Sequence, residues 1–204
     1  MVVRESSFGS VMVSRELWTY DGDTLLAYEE SDPATGEVLR KSNYSRTDGL
    51  RVSSEHEAGE LSFQEVELDD SKGQPILREQ DVDGDGIADF RATWYYDDKG
   101  RLTERREDTD GDGEPDVIVK WAYDQQDQVI SETEDSDGDG KLDRIDEYSF
   151  RDLAEPLVER HDHDGDGVWD EESRWTYDEL GNLLRVEERN EDGATVTEYG
   201  YDCW

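Results

Sequence analysis

The chain has 204 residues and a net charge of −36, from 21 basic and 57 acidic side chains. Only 32% of it is hydrophobic, which with that charge is the composition of a disordered chain, yet 6 Trp, 10 Tyr and 4 Phe are more aromatic residues than such chains carry. The charge excludes phosphate-rich partners, so no nucleic acid and no anionic lipid surface; no run approaches the roughly 20 apolar residues of a membrane helix, so no membrane insertion; and the single cysteine, Cys203, excludes an internal disulfide.

Taken in chain order, residues 1–13 read as an N-terminal tail. They hold no basic start followed by an apolar run, so no signal peptide is visible. Residues 14–80 read as hairpin repeats without metal loops, through the segments WTYDGDTLL (18–26), SNYSRTDGL (42–50) and VELDDSKGQPIL (66–77). Their spacers, DPATGEVL (32–39) and EHEAGEL (55–61), contain Gly but no ladder of Asp. From Asp81 the chain repeats every 27 residues without a gap, in four units: 81–107, 108–134, 135–161 and 162–188. Residues 189–204 read as a C-terminal capping repeat that ends in EYGYDCW.

Each unit reads as a β-hairpin. Phe90, Ala92, Trp94 and Tyr96 alternate with Arg91, Thr93 and Tyr95, which puts the first set on one face of a strand. Asp97–Gly100 supplies a turn, and a second, more polar strand runs from Leu102 to about Glu107. Helix is disfavoured because aromatic and β-branched residues prefer strands and Gly or Pro recurs every 10–15 residues. The expected fold is all-β: an antiparallel meander of about eight hairpins forming a twisted, curved open sheet. Two aromatic columns share that face, Trp94, Trp121, Tyr148 and Trp175 in one and Tyr96, Tyr123, Phe150 and Tyr177 in the other. They are expected to form the core; the alternative is an exposed ladder that stacks on sugars or a quaternary ammonium.

The segments YDDKGRL (96–102) and YDELGNL (177–183), with partial copies at Tyr20-Asp21 and Tyr201-Asp202, resemble the YD repeats of RHS-type proteins. The resemblance implies hairpins joined edge to edge into a long curling sheet, of the kind that shells a toxin or forms a surface filament. Unit three departs from it with Phe150-Arg151, and unit two with Gln126-Asp127 in the Gly region.

Every 27-residue unit opens with Asp-x-Asp-Gly-Asp-Gly-x-x-Asp. Side-chain oxygens at positions 1, 3, 5 and 9 and a main-chain carbonyl at 7 fit the first three-quarters of an EF-hand calcium loop. The predicted ligands are Asp81, Asp83, Asp85, Ile87 (carbonyl) and Asp89; Asp108, Asp110, Asp112, Glu114 (carbonyl) and Asp116; Asp135, Asp137, Asp139, Lys141 (carbonyl) and Asp143; and Asp162, Asp164, Asp166, Val168 (carbonyl) and Asp170. Ca²⁺ takes 6–8 oxygens, and alternate side chains of a tight loop converge on one centre. Position 12, the bidentate Glu of an EF-hand, is here Ala92, Val119, Asp146 or Ser173. In this the loops resemble those of thrombospondin type-3 repeats, where the Asp at position 9 completes the cage. Loss of the Glu predicts affinities of roughly 10⁻⁴–10⁻³ M, as in extracellular modules. About four Ca²⁺ per chain are expected, in a row along one edge of the sheet with a spacing of about 9–10 Å.

Magnesium, with its strict octahedron and retained waters, suits so many carboxylates less well. Zinc lacks Cys and His ligands in the loops, and His161 and His163 read as exposed loop residues. The sequence carries no Gly-x-Ser-x-Gly elbow, phosphate loop or dinucleotide fingerprint, so no enzyme is expected. The expected function is a calcium-dependent scaffold or adhesion-type module of the bacterial cell surface or exterior, with a protein or glycan surface as partner. The alternatives are a carbohydrate- or choline-binding aromatic ladder and a shell segment of an RHS-type toxin or export system. The missing signal peptide is in tension with a secreted protein.

Overall fold

The structure, a computed structural model, describes residues 2–8, 11–152 and 155–201. Sixteen strands follow one another: β1 (Val2–Phe8), β2 (Val11–Asp21), β3 (Thr24–Ser31), β4 (Val38–Thr47), β5 (Leu50–Glu57), β6 (Glu60–Asp69), β7 (Pro75–Asp81), β8 (Phe90–Tyr96), β9 (Leu102–Asp108), β10 (Val117–Tyr123), β11 (Val129–Asp135), β12 (Arg144–Asp152), β13 (Glu155–Asp162), β14 (Glu171–Tyr177), β15 (Leu183–Asn190) and β16 (Gly193–Glu198). They form one antiparallel sheet in sequence order, open between β1 and β16, as the hairpin periodicity predicts. No helix occurs among the described residues. By contacts the chain divides into Met1–Trp94 with Glu107–Glu114, and Tyr95–Arg106 with Pro115–Trp204. Residues 1–13, expected as a tail, instead carry β1 and the start of β2, which pair from Val2↔Trp18 onward. Pairing there covers backbone groups of β2 that a free tail would leave open. Asp202, Cys203 and Trp204 lie outside the described residues.

The YD Asp builds the turns. Asp97 Oδ1 accepts hydrogen bonds from the backbone N–H of Lys99 (2.9 Å) and Arg101 (3.0 Å), while Gly100 N–H returns to the Asp97 carbonyl at 2.9 Å. Asp70, Asp124 and Asp178 repeat this two-and-four pattern with the N–H groups of Lys72 and Gln74, Gln126 and Gln128, and Leu180 and Asn182. The turn needs one residue at positive φ, taken by Gly73 (83°), Gly100 (85°) and Gly181 (85°). In the second unit Asp127 takes it, at φ 67°. That strained position is held from the preceding turn, since Lys99 Nζ and Arg101 Nη1 reach Asp127 Oδ1 at 2.6 and 2.7 Å. The departure from the repeat is thus matched by an ion pair between neighbouring turns. Just before the turn the ladder shifts register, between Ala122 and Tyr123 and between Thr176 and Tyr177. The bulge bends the strand into its turn.

The core is not where the aromatic columns predict it. Trp94, Trp121, Tyr148 and Trp175 are all half-buried, as are Tyr96, Tyr123, Phe150 and Tyr177. Among the described residues the only buried apolar side chains are Ala92 and Val119, both at position 12 of the repeat. Polar atoms of two of the rings are bonded within the sheet. Trp121 Nε1 donates to Glu132 Oε2 (2.9 Å) and Tyr123 Oη to the Leu102 carbonyl (2.7 Å). Cross-strand ion pairs do much of the remaining work on the faces. Arg51 spans Glu67 (2.8 Å) and Asp69 (2.5 Å), Arg78 meets Glu65 (2.6 Å), and Arg160 meets Glu172 (2.7 Å).

These contacts set a pH dependence. Arg174, then Arg160, hold Glu172 down to about 2, and the N–H donors of the turns hold Asp70 and Asp97 below the usual carboxylate range. The Asn182 amide and N–H do the same for Asp178. Depressed folded values give stability that is complete above the unfolded values, near pH 4 to 4.5, and lost as pH falls through the folded ones. Acid also relieves repulsion among the other carboxylates, so the comparison must be differential. Denaturant midpoints of the wild type and of Glu172→Gln are predicted to differ at pH 7 and to converge as pH falls toward about 2.

Candidate metal centre

Each Asp-rich loop begins on the last residue of a strand. Position 1, which is Asp81, Asp108, Asp135 or Asp162, is buried, at 6%, 8%, 5% and 0% exposure. Its carboxylate folds the loop around itself. Asp81 accepts the N–H of Gly84 (2.6 Å) on Oδ1 and of Gly86 (2.9 Å) on Oδ2, and Asp108 accepts those of Gly111 (2.8 Å) and Gly113 (2.9 Å) in the same way. Gly140 and Gly167 donate to Oδ2 of Asp135 and Asp162 at 3.0 and 2.8 Å. For Asp162 burial disfavours the charge, but N–H groups led by that of Gly167 outweigh it and keep the acid below its ordinary value.

Position 9 closes the loop. The N–H groups of Asp89, Asp143 and Asp170 donate at 2.8 Å to the carbonyls of Gln80, Glu134 and His161, just ahead of position 1. Their Oδ2 atoms accept the N–H of Val82 (2.7 Å), Ser136 (2.7 Å) and His163 (2.8 Å) at position 2. Positions 3 and 5 are stiffened by short Asx turns, such as Asp85 N–H to Asp83 Oδ1 (3.1 Å) and Ile87 N–H to Asp85 Oδ1 (2.8 Å).

Four groups of carboxylates result in which one oxygen of each residue lies within 4.8 Å of one from each of the others: Asp81, Asp83 and Asp85; Asp108, Asp110 and Asp116; Asp135, Asp137 and Asp143; and Asp162, Asp164 and Asp166. Such groups could hold a metal ion. The first and last use positions 1, 3 and 5, and the middle two use 1, 3 and 9. Asp89, Asp112, Asp139 and Asp170 fall outside these triads. Asp139 is held by the Lys141 ammonium, which keeps it below its usual range. Ile87 and Val168 expose their side chains (65% and 64%), and those of Glu114 and Lys141 are exposed too. One observation singles out a donor: Asp135 Oδ1 is buried and has no hydrogen-bond partner. A buried carboxylate oxygen without a partner is costly, and the chemistry that relieves it is a cation.

The ligand spacing gives no hint of what the Gly at position 4 does. Gly84, Gly111, Gly138 and Gly165 have φ of 67–78° and lie against the chain of the unit before. A Cβ there would sit 2.0 Å from the Leu61 carbonyl oxygen, 2.6 Å from that of Ala88, 2.5 Å from that of Pro115 and 1.6 Å from that of Leu142. Ala88, Pro115 and Leu142 are all position 8 of the preceding loop. The second, third and fourth loops therefore each rest directly on the tail of the loop before, and the first rests on Leu61 of β6. Invariance of Gly at position 4 in all four units was the available signal, since an EF-hand loop asks for Gly only at position 6.

His163 is an exposed loop residue, as expected, but His161 is not. His161 lies in β13 with its side chain 19% exposed, and its Nδ1 is 2.6 Å from Asp146 Oδ1. The cross-strand register Asp146↔His161 brings them together.

No family model and no curated protein matches the chain. Among solved structures it is similar to a porin-like protein from Bacteroides uniformis, at 12% identity over 95% of this chain and 92% of that one with a TM-score of 0.40. It is also similar to TcdB2-TccC3-TEV, at 14% identity over 93% of this chain and 12% of that one with a TM-score of 0.35. A third is the Tc holotoxin pore of Photorhabdus luminescens, at 12% identity over 92% of this chain and 15% of that one with a TM-score of 0.23. Likeness at these scores carries no functional argument. Among the described residues no helix is long and apolar enough to cross a membrane.

The glycine geometry predicts a contrast. Gly165→Ala adds a collision with the Leu142 carbonyl to the backbone strain of positive φ, whereas Gly167→Ala, with nothing within 4 Å, adds strain alone. Gly167→Ala is expected to cost about 1–2 kcal/mol in chemical denaturation, and Gly165→Ala clearly more.

Proposed function

We propose that the chain is a calcium-binding β-repeat scaffold in which ions held by the four Asp-rich loops tie each hairpin to the next. The observation that supports it most is the recurrence, four times in register, of three carboxylate oxygens within 4.8 Å on loops that rest on one another. The orphaned Oδ1 of Asp135 fits a cation in that cage. The donors are oxygens of hard carboxylates, which favours calcium over softer metals. Position 12 supplies no free carboxylate to these cages: Ala92 and Val119 have no oxygen to give, Ser173 has only a hydroxyl, and Asp146 is engaged by His161. A cage short of that bidentate donor suits weak sites, filled where calcium is abundant, which favours a place outside the cell and a structural or adhesive role.

Calcium titration by calorimetry or Trp fluorescence, with magnesium as control, tests the reading. Near four Ca²⁺ per chain are expected, with dissociation constants of roughly 10⁻⁴–10⁻³ M and much weaker response to magnesium. At about 10 mM Ca²⁺ such constants stabilise the fold by about 1.4–2.7 kcal/mol per site. Asp135→Asn is expected to remove one ion from the count. Binding of no calcium, or equal binding by a chain with all four position-3 Asp changed to Asn, contradicts the proposal.

A further inference from the structure

The four loops are alike in sequence but not in how their first carboxylate is satisfied. Position 1 is buried in all of them, and in three its Oδ1 atom has a donor. Asp81 Oδ1 takes the N–H of Gly84 at 2.6 Å, Asp108 Oδ1 that of Gly111 at 2.8 Å, and Asp162 Oδ1 that of Asp164 at 3.4 Å. In the third loop the N–H of Gly138 does not reach it, and Asp135 Oδ1 is left buried with no partner. The other oxygen is engaged alike in every loop, by the N–H of the glycine at position 6.

An N–H donor stabilises a carboxylate's charge, and so competes with a cation for the same oxygen. In the first, second and fourth loops part of that charge is already answered. In the third it is not: the buried oxygen has given up its hydration and gained no bond, a cost that a cation removes. The rest of that cage is set for the same ion. Asp135, Asp137 and Asp143 each bring an oxygen within 4.8 Å of one from each of the others. Ser136 holds Asp143 Oδ2 by both its N–H (2.7 Å) and its hydroxyl (2.5 Å), so position 9 is fixed before an ion arrives.

We propose that the four sites do not fill together: the third loop fills first, and Asp135 is the residue that decides it. This rests on the calcium reading above. Position 7 works against it. Lys141 pairs with Asp139, while Glu114 adds a negative charge at the same place in the second loop. Magnitudes decide for Asp135. The side chains of Lys141 and Asp139 are 81% and 42% exposed, and such a pair changes an equilibrium by about fivefold at most. Asp139 also lies outside the third triad, so Lys141 takes no carboxylate that the cage uses. Glu114 is exposed, and salt screens it. A buried oxygen without a partner is worth about fivefold to a hundredfold. Filling in this order makes the third repeat the point from which the array becomes rigid as calcium rises.

Titration of the full chain with Ca²⁺, followed by the amide resonances of the position-6 glycines Gly86, Gly113, Gly140 and Gly167, reads the four loops one by one. Gly140 is expected to reach its midpoint at a free Ca²⁺ concentration at least about threefold below the other three. Added KCl is expected to widen that lead, because it screens the exposed charges at position 7 and not the buried Asp135. In calorimetry Asp137→Asn is expected to abolish the tightest step and Asp110→Asn to leave it in place. Both replace exposed residues, and circular dichroism checks that both keep the fold. Gly140 moving with the other glycines or after them, a lead that shrinks with KCl, or a tightest step that survives Asp137→Asn overturns the proposal and leaves the calcium reading standing. No movement at any of the four glycines overturns the calcium reading and the filling order with it.

Discussion

Carboxylates crowded at one end of every hairpin are the constraint on which the rest of this sheet depends. Seventeen of the 57 acidic residues, sixteen Asp and Glu114, sit in four nine-residue loops. Charges about 4 Å apart repel by about 1 kcal/mol per pair in water and about 4 near a protein surface. The loops answer with backbone dipoles: each position-1 carboxylate accepts at least one glycine N–H, and the position-9 carboxylates of Asp89, Asp143 and Asp170 hold the N–H of position 2. Those donors fix the loop but add no full positive charge. Four divalent ions would take the net charge only from −36 to −28, so their effect is local, at the places where repulsion is densest.

Successive hairpins are joined differently at the two ends of their strands. At the loop end the contact is steric and nearly side-chain-free, a glycine of one loop against a carbonyl of the loop before. At the turn end it is ionic: Lys99 and Arg101 hold Asp127, and Arg151 Nη1 donates to the Asp178 carbonyl at 2.7 Å. Between the ends, with Ala92 and Val119 as the only buried apolar side chains among the described residues, cohesion comes from cross-strand pairs. Arginines also cover aromatic rings near the strand ends, as where Arg101 lies 4.5 Å over the Tyr123 ring and Arg160 5.7 Å over Trp169. This explains how a chain with so little apolar content forms a sheet of sixteen strands: it asks for pairing partners rather than for a core.

Much of this was legible from periodicity. The alternation Phe90, Ala92, Trp94, Tyr96 and the turn at Asp97–Gly100 both appear where the repeat puts them, and eight hairpins follow from counting the weak copies. The aromatic core was misread because large rings normally mark burial; in a sheet whose faces are only half-covered, the small residue between the rings is buried instead. The tail at 1–13 was misread because Val2–Phe8 copies no part of the repeat and gains its strand by pairing with β2. The Asp ladders were plain in sequence, but which carboxylates converge was not. Positions 5 and 9 alternate as the third member of the triad, a choice made by rotamers and by partners such as Lys141, which no spacing rule records. The role of Asp146 was invisible for another reason: position 12 is a lost calcium ligand by sequence, and only the register with β13 turns it into the partner of His161.

The central claim is that the metal loops, and not the sheet in general, depend on calcium. Amide hydrogen exchange with and without Ca²⁺ tests it within one molecule, because residues 14–80 form hairpins without Asp ladders and serve as the internal reference. The account predicts that calcium slows exchange across residues 81–188, most of all at the loop glycines and the strand ends next to them, and leaves residues 14–80 nearly unchanged. Equal protection of both regions whether calcium is present or chelated would contradict it.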